Sequence, residues 1–270
     1  MAIRQVPAFE AHRNPHFISP KTLIKKTWYH FGRLGVDVFS KLAFDMDIAG
    51  QEKIPSGAKI LAANHPSTSD PILLTTLLRE QISILILETL FKIPVVGKSL
   101  ELCGHIRVAC EDGKPAMEQA IRVLMSGRTL GIFPEGVISP ADGSILHAHT
   151  GVARLAIRSG VPVIPVGIAL DPRCIKRIHT RIEGNLEVGN WTMHGMYAMT
   201  VGEPLVFSGD VEDRKYVRAV TEQIMDRVMV LSWESAARIR AAQKRTVSYP
   251  FWMAPIRLPI RLLRGVLGSI

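Results

Sequence analysis

The stretch Asn64-His65-Pro66-Ser67-Thr68-Ser69-Asp70 follows the short apolar run Lys59 to Ala63 and precedes Pro71-Ile72-Leu73-Leu74. The run reads as a buried strand. Asp70 followed by Pro71 reads as a helix start, with Asp as N-cap and Pro at the first helical position. His65 and Asp70 lie five positions apart, and side chains that share a helix face lie about three or four apart. They meet only if His65 leaves the end of a strand and Asp70 opens the following helix. Asp70 then reaches one imidazole nitrogen and leaves the other free as a base, the base-plus-orienter logic of acyl transfer. A strand passing through a polar turn into a helix is also the repeating unit of an α/β protein.

The same alternation continues along the chain. Strands are expected at Phe44 to Ala49, Lys59 to Ala63, Ile82 to Leu87, Ile106 to Val108, Thr129 to Phe133 and Val163 to Leu170, with two more around Arg181 to Val188 and Tyr197 to Val201. Helices are expected at Pro71 to Arg79, Val95 to Leu102, Lys114 to Met125, Val152 to Ser159 and, longest, Val211 to Lys244, whose apolar stripe is Val217, Val220, Ile224, Val228 and Leu231. The fold class is therefore α/β, a mainly parallel mixed sheet flanked by helices. Pro162 and Pro165 suggest an edge or a bulge where they fall, because proline cannot donate to a sheet ladder. Sites in such sheets form beyond the carboxyl ends of the strands. His65 and Glu135 each follow such an end, so both can face one crevice.

From Lys21 to about Phe44, Ile24, Trp28, Phe31, Val38 and Leu42 fall on one helical face and Lys26, His30, Arg33, Asp37 and Lys41 on the other. This pattern suits either a helix packed on the core or one lying on a bilayer. The chain divides into an N-terminal helical, membrane-facing segment (1–44), a catalytic domain (45–244) and a basic amphipathic tail (245–270). The tail mixes Phe251, Trp252, Leu258, Ile260, Leu262 and Leu263 with Arg257, Arg261 and Arg264.

Composition narrows the function classes. The apolar fraction is 47% and the net charge +9. Residues 1–36 hold six Lys/Arg against one acid, and residues 235–270 hold seven against none, so the middle is slightly acidic. No nucleic-acid-binding pattern accompanies these basic ends, and their charges alternate with large apolar residues, so a lipid surface is the expected partner and nucleic acid is not. No run of about 18 uncharged apolar residues appears, so a spanning helix is not expected. Nor does the N-terminus carry an apolar signal core. The three cysteines, Cys103, Cys110 and Cys174, suit neither a zinc site nor a disulfide frame and point to a reducing compartment.

Four blocks in order resemble the glycerolipid acyltransferases of the lysophosphatidic acid acyltransferase (PlsC) type: Asn64-His65 with Asp70, Gly104-His105-Ile106-Arg107-Val108, Phe133-Pro134-Glu135-Gly136, and Val161-Pro162-Val163-Ile164-Pro165-Val166. The resemblance covers about residues 45 to 205. It implies an O-acyltransferase that takes an acyl group from acyl-CoA or acyl carrier protein and passes it to a lysophospholipid such as 1-acylglycerol-3-phosphate. The location implied is peripheral, on the cytoplasmic face of a membrane. No metal or other cofactor is expected, and oligomeric state is left open. The implied catalytic pair is His65 and Asp70. An imidazole, with an ordinary pKa of about 6.5, can accept a proton from a lipid hydroxyl at neutral pH. Without a Gly-x-Ser-x-Gly elbow, direct transfer is preferred to an acyl-enzyme.

Glu135 is implied to orient the acceptor; it can equally bind turn amides. Gly136 would serve backbone geometry, and Asn64 would brace the His65 loop or form a turn. Arg107 would meet a phosphate of acceptor or donor, or be a solvated strand-end residue. Three positions where the family usually carries cations hold Cys110, Ile138 and His149 instead. This departure motivates alternatives: a glycolipid or amino-lipid acceptor, a non-catalytic lipid-binding homologue, or a thioesterase using water.

Overall fold

A computed structural model describes residues 20–109, 111–140, 147–182 and 185–247. The expected lead-in, Cys110 and residues 248–270 of the tail lie outside them. Within them the strand β2 (Lys59–Ala63) is buried along its whole length, which is why it reads as an unbroken apolar run rather than an alternating one. Its neighbours are β5 (Thr129–Ile132) and β6 (Val163–Leu170), both parallel to it. Beyond β5 lie β3 (Ile82–Leu87) and β4 (Ile106–Val108), again parallel. On the other side β9 (Gly195–Val201) pairs antiparallel with β6, and β1 (Phe44–Ala49) pairs parallel with β9. The seven-stranded order is β1-β9-β6-β2-β5-β3-β4.

Alternate residues of each strand feed two cores. Ile60, Ala62, Leu130, Ile132 and Val163 pack under α5 (Lys114–Met125), α6 (Gly151–Ser159) and α7 (Arg214–Val247). Leu61, Ala63, Ile84, Val166 and Tyr197 pack on the other face, with α2 (Asp70–Leu74), α3 (Glu88–Phe91) and α4 (Val96–Leu102). The α7 stripe expected from the sequence is the buried one: Val217, Val220, Ile224 and Val228 are all enclosed. A Cβ on Gly167 of β6 would run into the backbone of Leu231, so glycine there lets α7 lie directly on the sheet. Ser235 Oγ then donates to Gly167 O at 2.8 Å.

Three expectations are corrected. The helix from Pro71 is α-helical only to Leu74 and continues as a single 3-10 turn, Thr75–Leu77. Thr75 and Thr76 turn their hydroxyls back onto the carbonyls of Ile72 and Leu73, a bond that competes with helix continuation. The strand expected at Arg181 to Val188 straddles two strands, β7 (Ile175–Ile182) and β8 (Asn185–Thr192), paired antiparallel from Ile182↔Asn185 outward. The sequence Glu183-Gly184-Asn185 carries a turn signal between them. Pro165 stands inside β6, a central strand. On the side away from β2, Val163 exchanges bonds with Leu205 while Pro165 O accepts from Gly202 N. The missing N–H therefore falls just beyond the end of β9, where no regular ladder calls for it.

The helix α1 (Pro20–Ala43) crosses the face that holds α2 and α4. At the amino edge of the sheet Tyr29 is buried, its hydroxyl donating to Glu80 O at 3.1 Å and accepting from Ile82 N at 3.2 Å. At the carboxyl edge Phe39 packs edge-on against Phe44. The sheet-facing side thus carries Tyr29, Arg33, Phe39 and Ser40. The apolar stripe legible in the sequence faces away: Trp28 and Val38 are exposed, Phe31 to 72% and Leu42 to 82%, and Leu34 is exposed as well. Among the described residues nothing covers it.

His105, just before β4, offers Nδ1 to the Ile84 N–H at 3.2 Å. Burial pulls its pKa from 6.5 down to about 4. The unfolded chain therefore binds a proton that the folded chain refuses across that window. Stability is full above about 6.5 and falls as pH drops toward about 4. The loss is expected to be on the order of 2–3 kcal/mol. Thermal melts of the wild type and His105→Gln across this range check it: the variant should show a flatter dependence of Tm on pH.

Candidate active site

The carboxyl ends of β2 and β5 place two loops side by side. After β2 the chain turns through Pro66 into α2, and after β5 it turns through Pro134. His65 Nδ1 lies 2.9 Å from Asp70 Oδ2. The His65 side chain is 16% exposed and Asp70 is fully buried. Asp70 does not cap its helix as the sequence suggests: the N-cap position is Ser69, and no side chain caps it. The carboxylate is turned back instead. Oδ2 also accepts the Ser67 N–H at 2.7 Å, and Oδ1 accepts the Tyr197 hydroxyl at 2.7 Å. Burial, with the Asp70 charge beside it, holds the Tyr197 phenol well above its usual range, so it remains a donor. A carboxylate placed against Nδ1 selects the imidazole tautomer that carries its proton there and leaves a lone pair on Nε2. No hydrogen bond from a described residue engages Nε2. The ring is held in its plane by Phe133, stacked at 4.3 Å between centroids.

Glu135 is almost fully buried beneath the histidine. Its Oε1 accepts the His65 N–H at 3.1 Å and the Ser139 hydroxyl at 2.6 Å, while Ser139 N donates to His65 O at 2.8 Å. The second loop thus grips the backbone of the first. Gly136 has φ +70°, and a Cβ there would lie 2.9 Å from the His149 ring. Asn64 is also buried, and its amide exchanges two bonds with the backbone of Ile168 in β6, at 2.9 and 2.7 Å. It continues the β2–β6 ladder past the end of the strand and fixes where the His65 loop leaves the sheet.

Asn64, His65, Asp70, Glu135 and Gly136 therefore converge. Arg107 stands apart. It lies on the same carboxyl edge, but β5 and β3 separate β4 from β2, a lateral distance of roughly 14 Å at the usual strand spacing. Half exposed, it pairs with Glu101 at 2.9 Å and covers the Phe91 ring at 4.9 Å.

Tyr197, Ser139 and Ser67 did not stand out in the sequence. The one available signal was Tyr197, a tyrosine inside an apolar strand, because a buried phenol needs a hydrogen-bond partner. Among the described residues no group of three or more His, Cys, Asp or Glu is arranged to hold a metal ion.

The chain is similar to known acyltransferases. A family model described as Acyltransferase matches residues 45–169. A 1-acyl-sn-glycerol-3-phosphate acyltransferase of Borreliella burgdorferi is 30% identical over 123 residues, covering 44% of this chain and 49% of that protein. One of Saccharomyces cerevisiae is 21% identical over 235 residues, covering 83% and 71%. The crystal structure of the 1-acyl-sn-glycerophosphate (LPA) acyltransferase, PlsC, from Thermotoga maritima superposes with a TM-score of 0.52 at 27% identity, over 76% of this chain and 80% of that one. The chain spans half or less of the length of most of the curated relatives it matches.

Proposed function

We propose that the chain is an acyltransferase of the PlsC type, the family its similarities point to, and that it moves an acyl group from a thioester, acyl-CoA or acyl carrier protein, to the hydroxyl of a lysophospholipid such as 1-acylglycerol-3-phosphate. The observation that carries this reading is the His65–Asp70 pair, held at 2.9 Å with Nε2 engaged by no hydrogen bond from a described residue. His65 Nε2 takes the proton of the acceptor hydroxyl as its oxygen attacks the thioester carbonyl. The new C–O bond forms, the C–S bond breaks, and the imidazolium returns the proton to the departing thiolate. Asp70 stabilises the imidazolium between these steps. Tyr197 and Ser67 hold Asp70, and Glu135 and Ser139 hold the backbone of His65. No cofactor is needed for a reaction so written.

The reading also requires access to a lipid. The outward apolar stripe of α1 supports a peripheral seat on a membrane, with Trp28, Phe31, Val38 and Leu42 toward the acyl chains. No helix among the described residues is long and apolar enough to cross one. The cytoplasmic face is part of this proposal, because the thioester donors are made there. Arg107 is proposed to meet a phosphate, of donor or acceptor, at the far end of the same edge.

Purified protein with labelled acyl-CoA and a panel of lysolipids tests the proposal. Ester formation is expected with a phosphate-bearing lysolipid. Arg107→Ala should raise the KM for one phosphate-bearing substrate about tenfold or more, since a charge-assisted bond contributes about 1.5–3 kcal/mol when intact. Thioester consumption at the same rate without any acceptor would mark a thioesterase instead. Esterification of a sugar or amino-lipid in preference would favour the alternative acceptors that Ile138 and His149 suggest.

A further inference from the structure

Among the described residues, the ribbon of β7 and β8 touches the core only at its base, where Ile175 packs against the cluster on the α2 side of the sheet. It leaves the main sheet between β6 and β9, and every residue of β7 from Lys176 to Arg181 is exposed. A two-stranded ribbon with solvent on both sides is marginal in water, and this one also exposes Ile178, Val188 and, to 62%, Leu186. Its register sorts the side chains. Arg177 pairs with Asn190, His179 with Val188 and Arg181 with Leu186, and paired residues share a face. One face therefore carries two arginines, a histidine and two aliphatic side chains, with no acid. The other carries Gly189, where a Cβ would lie 3.2 Å from Thr68 Oγ1. At Gly189 that second face meets the His65 loop, and beyond the part-buried base at Ile175 and Thr192 the first face is exposed from Arg177 to Arg181 and at Leu186 and Val188.

The base of the ribbon is bonded to the loop that holds the catalytic pair. Thr68 N donates to Asn190 O at 2.7 Å, Ser67 Oγ to Asn190 O at 3.0 Å and Ser69 Oγ to Thr192 O at 2.8 Å. That loop runs into α2, which packs beside α1 and its exposed apolar stripe.

We propose that the β7–β8 ribbon is a second membrane contact, one that lies in the headgroup layer of an anionic bilayer next to His65. The proposal rests on the acyl-transfer reading only for the need to reach a bilayer lipid. The chemistry of the outward face selects this partner. Arginines meet lipid phosphates, and the aliphatic residues between them enter the acyl boundary. An acidic protein would satisfy the arginines and leave Leu186 and Val188 in water.

The test uses full-length protein, sedimented with vesicles of phosphatidylglycerol mixed with phosphatidylcholine, or of phosphatidylcholine alone. At low salt, Arg177→Gln with Arg181→Gln should weaken partition onto the anionic vesicles about 30-fold, at the usual contribution of a basic residue near such a surface. Leu186→Ser should weaken partition onto both kinds of vesicle by about tenfold. Both variants should keep wild-type activity on a soluble short-chain thioester and acceptor. Unchanged partition of either variant overturns the proposal. So does a defect that appears only when acyl carrier protein is the donor, because the face would then be a protein dock. Failure of the wild type on the soluble substrates would count against acyl transfer and would leave the vesicle result standing.

Discussion

His65→Ala is expected to lower kcat for acyl transfer by at least about 100-fold, the usual contribution of a positioned general base. The reason is local. Nε2 is the nitrogen that no described residue engages by a hydrogen bond, while Nδ1 is committed to Asp70. Alanine removes the proton acceptor and leaves Asp70 with the donors Ser67 N and Tyr197 Oη, so the fold should survive. Single-turnover rates and thermal melts of the same preparation check both halves. A kcat within tenfold of wild type at unchanged Tm would reject His65 as the base. Asp70→Asn is the informative companion. Its amide oxygen can keep the bonds from Ser67 and His65, and its nitrogen can donate to the Tyr197 oxygen. The geometry is then preserved while the charge that stabilises the imidazolium is lost. Rate should fall with little change in Tm.

Glu135→Ala should cost both activity and stability, and the combination is what matters. If the only task of this carboxylate were to orient the acceptor, its loss would raise the acceptor KM and leave the melting temperature alone. The structure sets Oε1 under the His65 N–H and the Ser139 hydroxyl, out of solvent. Truncation leaves the Ser139 hydroxyl without this acceptor, at about 1–3 kcal/mol for a buried group left unsatisfied, while the His65 N–H keeps only Ser139 Oγ, at 3.0 Å. It also frees the loop that carries the base. Expected, therefore, are a lowered Tm and a kcat reduced at least tenfold, with Glu135→Gln intermediate because an amide oxygen still accepts. A raised KM with unchanged Tm and kcat would restore the purely substrate-binding role.

The sequence by itself determined most of the sheet and the identity of the catalytic pair. Apolar runs of strand length, closed by Gly, Pro and polar turns, locate β2, β3 and β6, because a strand covered on both faces is mostly apolar along its length, with Lys59 and Ser83 as the buried polar exceptions. The spacing of His65 and Asp70 excludes a shared helix face and leaves the strand-to-helix turn as the place where they meet. Where local pattern and local chemistry conflict, the sequence misleads. Asp70 before Pro71 looks like a cap and serves as the histidine's partner, since only the packed structure brings Tyr197 from β9 to its other oxygen. The α1 stripe is visible as a period, but a period does not say which way it faces. That was decided by Tyr29, Phe39 and Ser40, which dock the opposite side of the helix and leave the apolar stripe bare. Arg107, Glu135 and the β7–β8 ribbon make the same point at the site. Glu135 and the ribbon read as a charged and an alternating segment and find partners far away in the chain, whereas Arg107 finds Glu101 six residues away. Strand order puts two strands between Arg107 and the histidine, puts Glu135 under its backbone and seats the ribbon on Ser67 and Ser69. Contacts between residues so distant in sequence follow from the sheet order β1-β9-β6-β2-β5-β3-β4, and that order is settled by which layers can bury their faces together.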